Sequence, residues 1–246
     1  MTSTALVSRV SVDANGPNGP VPSLTRRVIE LLGVEKKDLV VDLDCRVQSP
    51  PAVPEEIRYG ARMFVPSLLS EQLSFLLNTS GVRMVQMGWL TFGRLPMRYQ
   101  RVLVRDGPSQ FKGSLRRSLA AVFDQLDPAG RLLIVDSAPG ADTPLYAEGL
   151  RRWKQERQLP EVIADLMREA GFSARTETVE CLRRVSTAEC YAWVASRSWP
   201  SLGSSCEAEL QRGLCELRAR YGSQPMVEFT SRFDLVLGTK PVPLAT

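Results

Sequence analysis

The order of apolar and polar positions predicts strands that alternate with helices. The apolar runs at 39–43, 101–104 and 132–135 are nearly continuous and have the length of buried strands. Such runs are typical of parallel strands that are covered on both faces. We therefore expect these three strands to lie side by side, parallel, in the centre of one sheet.

Weaker patterns predict the remaining elements. Further strands are expected at 63–65, 82–87, 174–182 and 227–237. Apolar residues at helical spacing predict helices at 23–32, 70–77, 115–126, 145–156, 161–170 and around 210–217. Gly33 and Gly171 follow two of these helices as stops, and the segment 127–130 predicts a turn. The alternation predicts an α/β fold in which a mostly parallel sheet carries helices on both faces.

The first 22 residues differ from the rest of the chain. The run from Asn15 to Pro20 has the sequence NGPNGP, which cannot continue a helix or a central strand. We interpret 1–22 as an irregular N-terminal arm and 23–246 as one domain. The arm lacks the apolar periodicity to fold alone, so we expect it to be mobile in the free protein and ordered against a partner.

Composition excludes several classes of protein. The chain has 246 residues, of which 43% are hydrophobic and 24% charged, as in ordinary globular proteins. No apolar run approaches the roughly 20 residues that a membrane-spanning helix needs. We expect a soluble intracellular protein without membrane contact, in the cytoplasm. Arg9, without an acid in the first nine residues, leaves a mitochondrial location as the alternative.

The chain contains no histidine, which excludes Ser-His and Cys-His nucleophiles and histidine-containing metal sites. None of its five cysteines forms a C-x-x-C pair. This spacing argues against a structural zinc site, and we expect no bound metal. An odd number of widely spaced cysteines favours reduced thiols over a disulfide framework.

The net charge is +4, and arginine dominates the basic residues with 26 Arg against 5 Lys. Arginine suits protein interfaces and bidentate contacts with anions. No basic block of five or more occurs, so a protein partner is favoured and nucleic acid is the weaker possibility. The sequence Arg183-Arg184-Val185-Ser186 is similar to a basophilic kinase site, and whether it is phosphorylated stays open.

Three segments carry a resemblance to a known family. Residues 127–136 (DPAGRLLIVD) are similar to the pattern L-x-P-G-G-r-l-l-i-x-D, and residues 160–172 end in EAGF like l-l-x-x-A-G-F. Residues 233–241 (FDLVLGTKP) are similar to f-x-l-v-x-a-x-K-P. In this order they resemble class I S-adenosylmethionine-dependent methyltransferases, in particular the ubiquinone/menaquinone-biosynthesis-like branch.

The resemblance covers about residues 24–241 and implies a class I methyltransferase fold. That fold is a Rossmann-like sheet of seven strands, mostly parallel, with helices on both faces. Its last two strands are expected to be antiparallel to the rest or to form an edge hairpin. The packing elements of the family are thus present in this sequence.

The cofactor loop departs from the family. The family pattern D-x-G-x-G-x-G falls on 42–48, where Asp42 matches and the three glycine positions hold Asp44, Arg46 and Gln48. The acids that hold ribose and adenine in the family are also missing after the second and third strands. The resemblance therefore implies a degenerate, non-functional cofactor site, and we expect no bound cofactor.

Asp106, after the fourth strand, is the weak catalytic candidate, because this rim position often carries substrate-binding groups. A solvated acid in a turn before Gly107 is the alternative. Three functions stay open at this stage. They are a methyltransferase-like pseudoenzyme that acts as a scaffold in a larger assembly, an active methyltransferase that uses S-adenosylmethionine, and a non-methylating enzyme on the same fold.

Overall fold

A computed structural model describes residues 7–10, 23–34, 38, 40–44, 60–64, 83–86, 98–105 and 115–243. The strands are β1 (Val7–Val10), β2 (Val40–Asp44), β3 (Gly60–Phe64), β4 (Arg83–Gln86), β5 (Tyr99–Arg105), β6 (Leu126–Ala138), β7 (Ser173–Ser186) and β8 (Met226–Thr239). The α-helices are α1 (Ser23–Leu32), α2 (Leu115–Gln125), α3 (Ala147–Glu156), α4 (Pro160–Glu169), α5 (Thr187–Ala195) and α6 (Glu207–Tyr221). A short 3₁₀ helix spans Pro200–Leu202.

The three strands predicted for the sheet centre occupy it. The sheet runs in the order β1-β7-β8-β6-β5-β2-β3-β4. Strand β5 pairs in parallel with β2 on one side and with β6 on the other, so that Val41 lies beside Val102 and Val102 beside Leu132. Val102 and Leu132 are fully buried. The near-continuous apolar runs thus mark strands with helices above and below.

The sheet is α/β and Rossmann-like, but it is more mixed than the sequence predicts. Within the described residues it has eight strands rather than seven. Four of its seven strand pairs are antiparallel, namely β2–β3, β3–β4, β6–β8 and β7–β8. Strand β8 lies between β6 and β7 and is antiparallel to both, and β1 lies outside β7, so the last two strands do not form a hairpin at the edge. An apolar run reports burial, whereas strand direction depends on the path of the connecting chain, which periodicity does not show.

The prediction that residues 1–22 form an irregular arm is wrong at 7–10. There β1 pairs in parallel with β7, from Val7 beside Thr178 to Val10 beside Cys181. Valine favours extended backbone, and an edge strand offers unpaired N–H and C=O groups to which such a segment can add. The rest of the predicted arm lies outside the described residues.

Helices cover both faces of the sheet, as predicted. Helices α2 and α4 pack on one face, where Leu119 and Met167 are fully buried against Ile134. Helix α1 packs on the other face, with Leu32 among Leu133 and its neighbours. Each face therefore has its own apolar core.

A third apolar cluster joins α3, α5 and α6. Tyr146 and Leu214 are buried in it. Gly213 lies directly against the Tyr146 ring, and a Cβ at that position would overlap the ring. These helices stand beyond the carboxyl end of β6, where the candidate site lies.

Several local predictions differ from the structure. The predicted turn at 127–130 is an irregularity inside β6, where Ala129 takes a φ of 62° and the register with β5 shifts. Helix α5 was not predicted, because its apolar residues are not confined to one stripe. The predicted helix at 70–77 lies outside the described residues. In the described chain, no helix combines the length and apolar character needed to cross a bilayer.

Candidate functional site

The predicted cofactor loop begins at the end of β2. Strand β2 continues through Asp44, which pairs with Gly60 of β3 on one side and Arg105 of β5 on the other. Arg46, Gln48 and Asp106 lie outside the described residues. The structure therefore places Asp42 and Asp44 in a sheet strand and leaves the remaining predicted site residues untested.

The four described cysteines form no disulfide with one another. Cys181 and Cys190 are buried, and Cys206 and Cys215 are exposed. Burial raises the pKa of the Cys190 thiol to about 11, and its Sγ lies 3.7 Å from the carbonyl oxygen of Pro144. A protonated, buried thiol is a poor nucleophile. No group of acids or cysteines able to hold a metal occurs among the described residues.

A cavity of about 350 Å³ lies beyond the carboxyl end of β6. Strand β6 stops where Ala138 pairs with Arg232, whereas β7 and β8 stay paired as far as Ser186 and Met226. The β7–β8 extension therefore overhangs β6, and α3 and α5 close the corner. The lining residues are Ser137, Ala138, Thr143, Trp153, Arg183, Trp193, Ser198, Trp199, Phe229, Ser231, Arg232 and Phe233. We call this the corner cavity.

Aromatic rings form one wall of the corner cavity. The ring centroids of Trp153 and Trp199 are 5.2 Å apart, and those of Trp193 and Trp199 are 6.0 Å apart. Trp193 in turn meets Phe229 edge to face at 6.3 Å. Trp153 and Phe229 are buried. The planes of neighbouring rings lie at angles of 52° to 82°, so the rings form a rigid apolar wall that offers both ring faces and ring edges.

The charged side chains of the lining are both arginines. The Nε atom of Arg232 lies 3.6 Å from a carboxylate oxygen of Asp234, so its charge is partly balanced. Arg183 has no ion pair or hydrogen bond within the described part of the chain. No acidic side chain is among the described lining residues, so the described lining carries positive charge.

A buried ion pair stands behind Arg232. Asp234 is buried and pairs with the Arg157 guanidinium, and its other oxygen accepts the Thr178 hydroxyl at 2.7 Å. Burial lowers the pKa of Arg157, and the nearby Asp136 acts against this shift. Asp136 and Asp234 are direct cross-strand neighbours, and the positive charge of Arg157 offsets the repulsion between two acidic residues at this place.

The corner cavity has the groups for binding and lacks those for acid–base chemistry. Among its described lining residues there is no carboxylate, thiol or tyrosine, and the chain has no imidazole. The indole nitrogen of Trp199 is enclosed and has no hydrogen-bond acceptor. This arrangement can hold a ligand by ring contact and charge.

No pattern in the sequence predicts the corner cavity directly. One signal was available, since three of the four tryptophans fall between residues 153 and 199. Trp153, Trp193 and Trp199 come from different elements, and only the fold brings them together with Arg183.

Comparisons with known proteins give a partial likeness. No protein-family model and no curated protein matches the chain. A phosphoethanolamine N-methyltransferase 2 from Haemonchus contortus, solved with S-adenosylhomocysteine, is similar at 14% identity over 58% of this chain and 33% of that one, with a TM-score of 0.31. A putative methyltransferase from Bacillus halodurans is similar at 15% identity over 61% and 69%, with a TM-score of 0.37.

A cyclopropane synthase from Mycobacterium tuberculosis is also similar, at 13% identity over 63% of this chain and 59% of that one, with a TM-score of 0.35. The aligned part of the chain spans only a third of the length of the Haemonchus enzyme. At this level of identity the likeness concerns fold alone. The ubiquinone/menaquinone-biosynthesis-like branch stays a prediction.

Proposed function

We propose that this chain is a methyltransferase-like protein that does not use S-adenosylmethionine and that serves as an interaction subunit of a larger assembly. The observation that supports this most is the end of β2. Asp44 stands at the first glycine position of the family's cofactor loop, and there it is a sheet residue paired on both sides.

A glycine at that position allows a tight turn and a close approach of the backbone to the cofactor. Asp44 continues the strand instead, and it puts a negatively charged residue where the family has glycine. Arg46 and Gln48 bring side chains to the two following glycine positions. The residues of this chain therefore do not fit S-adenosylmethionine.

The interaction role has two further supports. The described lining of the corner cavity holds no general base, so the described chain offers no evident catalytic group there. The basic residues are mostly arginine, which is enriched at protein interfaces. Both features suit a protein that binds a partner rather than one that catalyses a reaction.

Isothermal titration calorimetry of the full chain tests the loss of the cofactor. We expect no saturable binding of S-adenosylmethionine or S-adenosylhomocysteine below about 1 mM. The triple variant Asp44→Gly, Arg46→Gly, Gln48→Gly provides the matched comparison and should bind more tightly than the wild type. A low-micromolar dissociation constant for the wild type contradicts the proposal and favours the active methyltransferase.

The apparent mass of the native protein tests the interaction role separately. In native extract, size-exclusion chromatography should place the chain well above its mass of 27.3 kDa, in a complex that survives purification. Elution of the native protein at the mass of the free chain would contradict a role as an assembly subunit.

A second candidate function is a non-methylating enzyme on the same fold. The corner cavity favours it, because about 350 Å³ lies within the range of small-molecule sites. Such an enzyme requires a reacting group beyond the described lining. Turnover of any small molecule that occupies the cavity, without S-adenosylmethionine, would favour this candidate over the subunit.

A further inference from the structure

We infer that the corner cavity is a binding site for a small organic anion with a flat apolar body. The inference rests on the lining of the cavity and not on the loss of S-adenosylmethionine. The two places are also separate in the sheet, because β5 stands between β2 and β6.

The apolar body follows from the shape and chemistry of the wall. Trp153, Trp193, Trp199 and Phe229 present aromatic surface to a space of about 350 Å³. Two of these rings are buried and all four contact a neighbouring ring, so the wall is largely formed before a ligand arrives. Flat ligands bind such surfaces by stacking or edge contact.

The negative charge follows from Arg183. It is exposed at the mouth of the cavity and has no partner in the described chain, so its guanidinium is available to a carboxylate or phosphate. Arg232 adds a second positive group, although it stands near Asp234 and pairs across the sheet with Glu180. Arg183 is therefore the main contact with the charged end of the ligand.

The charge of the described lining also distinguishes an anionic from a cationic ligand. A cationic ligand would also suit tryptophan rings. Two arginines and no acid in the described lining disfavour it, because like charges repel in a partly enclosed site.

Three probes that share one ring system test the inference with the full chain. They are 2-naphthoate, neutral 2-naphthylmethanol and cationic 2-naphthylmethylammonium, each titrated by calorimetry. We expect saturable binding of the naphthoate, binding of the alcohol that is weaker by about tenfold, and none of the amine. Equal affinity for the acid and the alcohol, preference for the amine, or no saturable binding of any probe would each overturn the inference.

Single substitutions locate the site. Arg183→Gln should weaken naphthoate binding by about tenfold and leave the alcohol unchanged, and Trp199→Phe should weaken naphthoate binding by about threefold. Arg184→Gln is the matched control. Arg184 is the next residue, points to the opposite face and pairs with Glu228 at 3.3 Å.

The substituted arginines are exposed, so these variants should fold, and circular dichroism checks this directly. Unchanged naphthoate binding by the Arg183 variant, or an equal loss in the Arg184 control, would contradict the assigned site. The cofactor titration is a separate measurement, so failure of either idea is recognised independently.

Discussion

Glu209 of α6 accepts hydrogen bonds that link α6 to α3. Both helices belong to the helical corner, which we define as α3, α5 and α6. Its two carboxylate oxygens each accept a hydrogen bond from Arg152 at 2.8 Å, and one of them also accepts the Tyr146 hydroxyl at 2.7 Å. The Ser205 hydroxyl donates to the same oxygen at 3.0 Å. Only 16% of the Glu209 side chain is exposed. The hydrogen bonds from Arg152, followed by those from Tyr146 and Ser205, lower the pKa of Glu209, although burial acts in the opposite direction.

This shift predicts a pH-dependent contribution to stability. A carboxyl whose pKa is lowered on folding stabilises the protein above its unfolded pKa, about 4.3, and loses that contribution as the pH falls through the folded pKa. We expect Glu209→Gln to reduce the free energy of unfolding by about 1–3 kcal/mol at pH 7. The difference from the wild type should shrink below about pH 4.

Urea titrations between pH 3 and pH 7 measure this difference. Glu207→Gln is the control in the same helix, since 70% of the Glu207 side chain is exposed and its Arg197 partner is 3.4 Å away. Exposed pairs contribute about 1 kcal/mol or less. A Glu209 variant whose deficit stays constant with pH would contradict the role of its charge.

At the scale of elements, β1 and β8 differ most clearly in how much of their backbone is paired with neighbouring strands. Strand β8 is paired along its length with β7 and partly with β6, while β1 has four residues and one neighbour. Edge strands with few pairs open more readily than strands inside a sheet. This contrast bears on the hypothesis that residues 1–22 become ordered only against a partner.

Hydrogen exchange should separate the two strands. We expect amides of β1 to exchange at least about a hundredfold faster than the central amides of β8 at pH 7, because β1 detaches without unfolding the sheet. Protection of β1 equal to that of β8 in the isolated chain would contradict a detachable strand and would also count against a partner-binding arm.

At the scale of the whole molecule, the helical corner is tied to the sheet. Trp193 of α5 meets Phe229 of β8, and Arg157, which follows α3, pairs with Asp234 of β8. The backbone N–H of Thr187 donates to the carbonyl oxygen of Pro225 at 3.1 Å. We therefore expect corner and sheet to unfold together, as the prediction of one domain for 23–246 requires.

Two spectroscopic signals test this cooperativity. Three tryptophans lie in the corner, so fluorescence reports mainly on it, and Trp89→Phe removes the remaining one. Far-ultraviolet circular dichroism reports on the whole backbone. We expect the urea midpoints of both signals to coincide in this variant. Two separated transitions would show that the corner is an independent unit.

The sequence by itself determined the elements that are buried on a regular pattern. The predicted runs at 101–104 and 132–135 fall inside β5 and β6, and the helix predicted at 115–126 agrees with α2 to within one residue, because period and burial follow from local spacing. Gly33 and Gly171 were predicted as stops, and their φ angles of 56° and 103° are those that favour glycine. In these segments local preference and tertiary packing agree.

Tertiary structure decided everything that depends on residues far apart in the chain. Strand β8 lies between β6 and β7 because it forms backbone hydrogen bonds with both. The spacing of apolar residues within β8 does not show which strands lie beside it. Val7–Val10 became a strand because the edge of β7 offered it hydrogen bonds. Trp153, Arg183 and Trp199 are unremarkable one by one along the sequence. They form a charged aromatic cavity only because β7 and β8 extend past the end of β6. That overhang is set by strand pairing between distant segments, which the local sequence does not show.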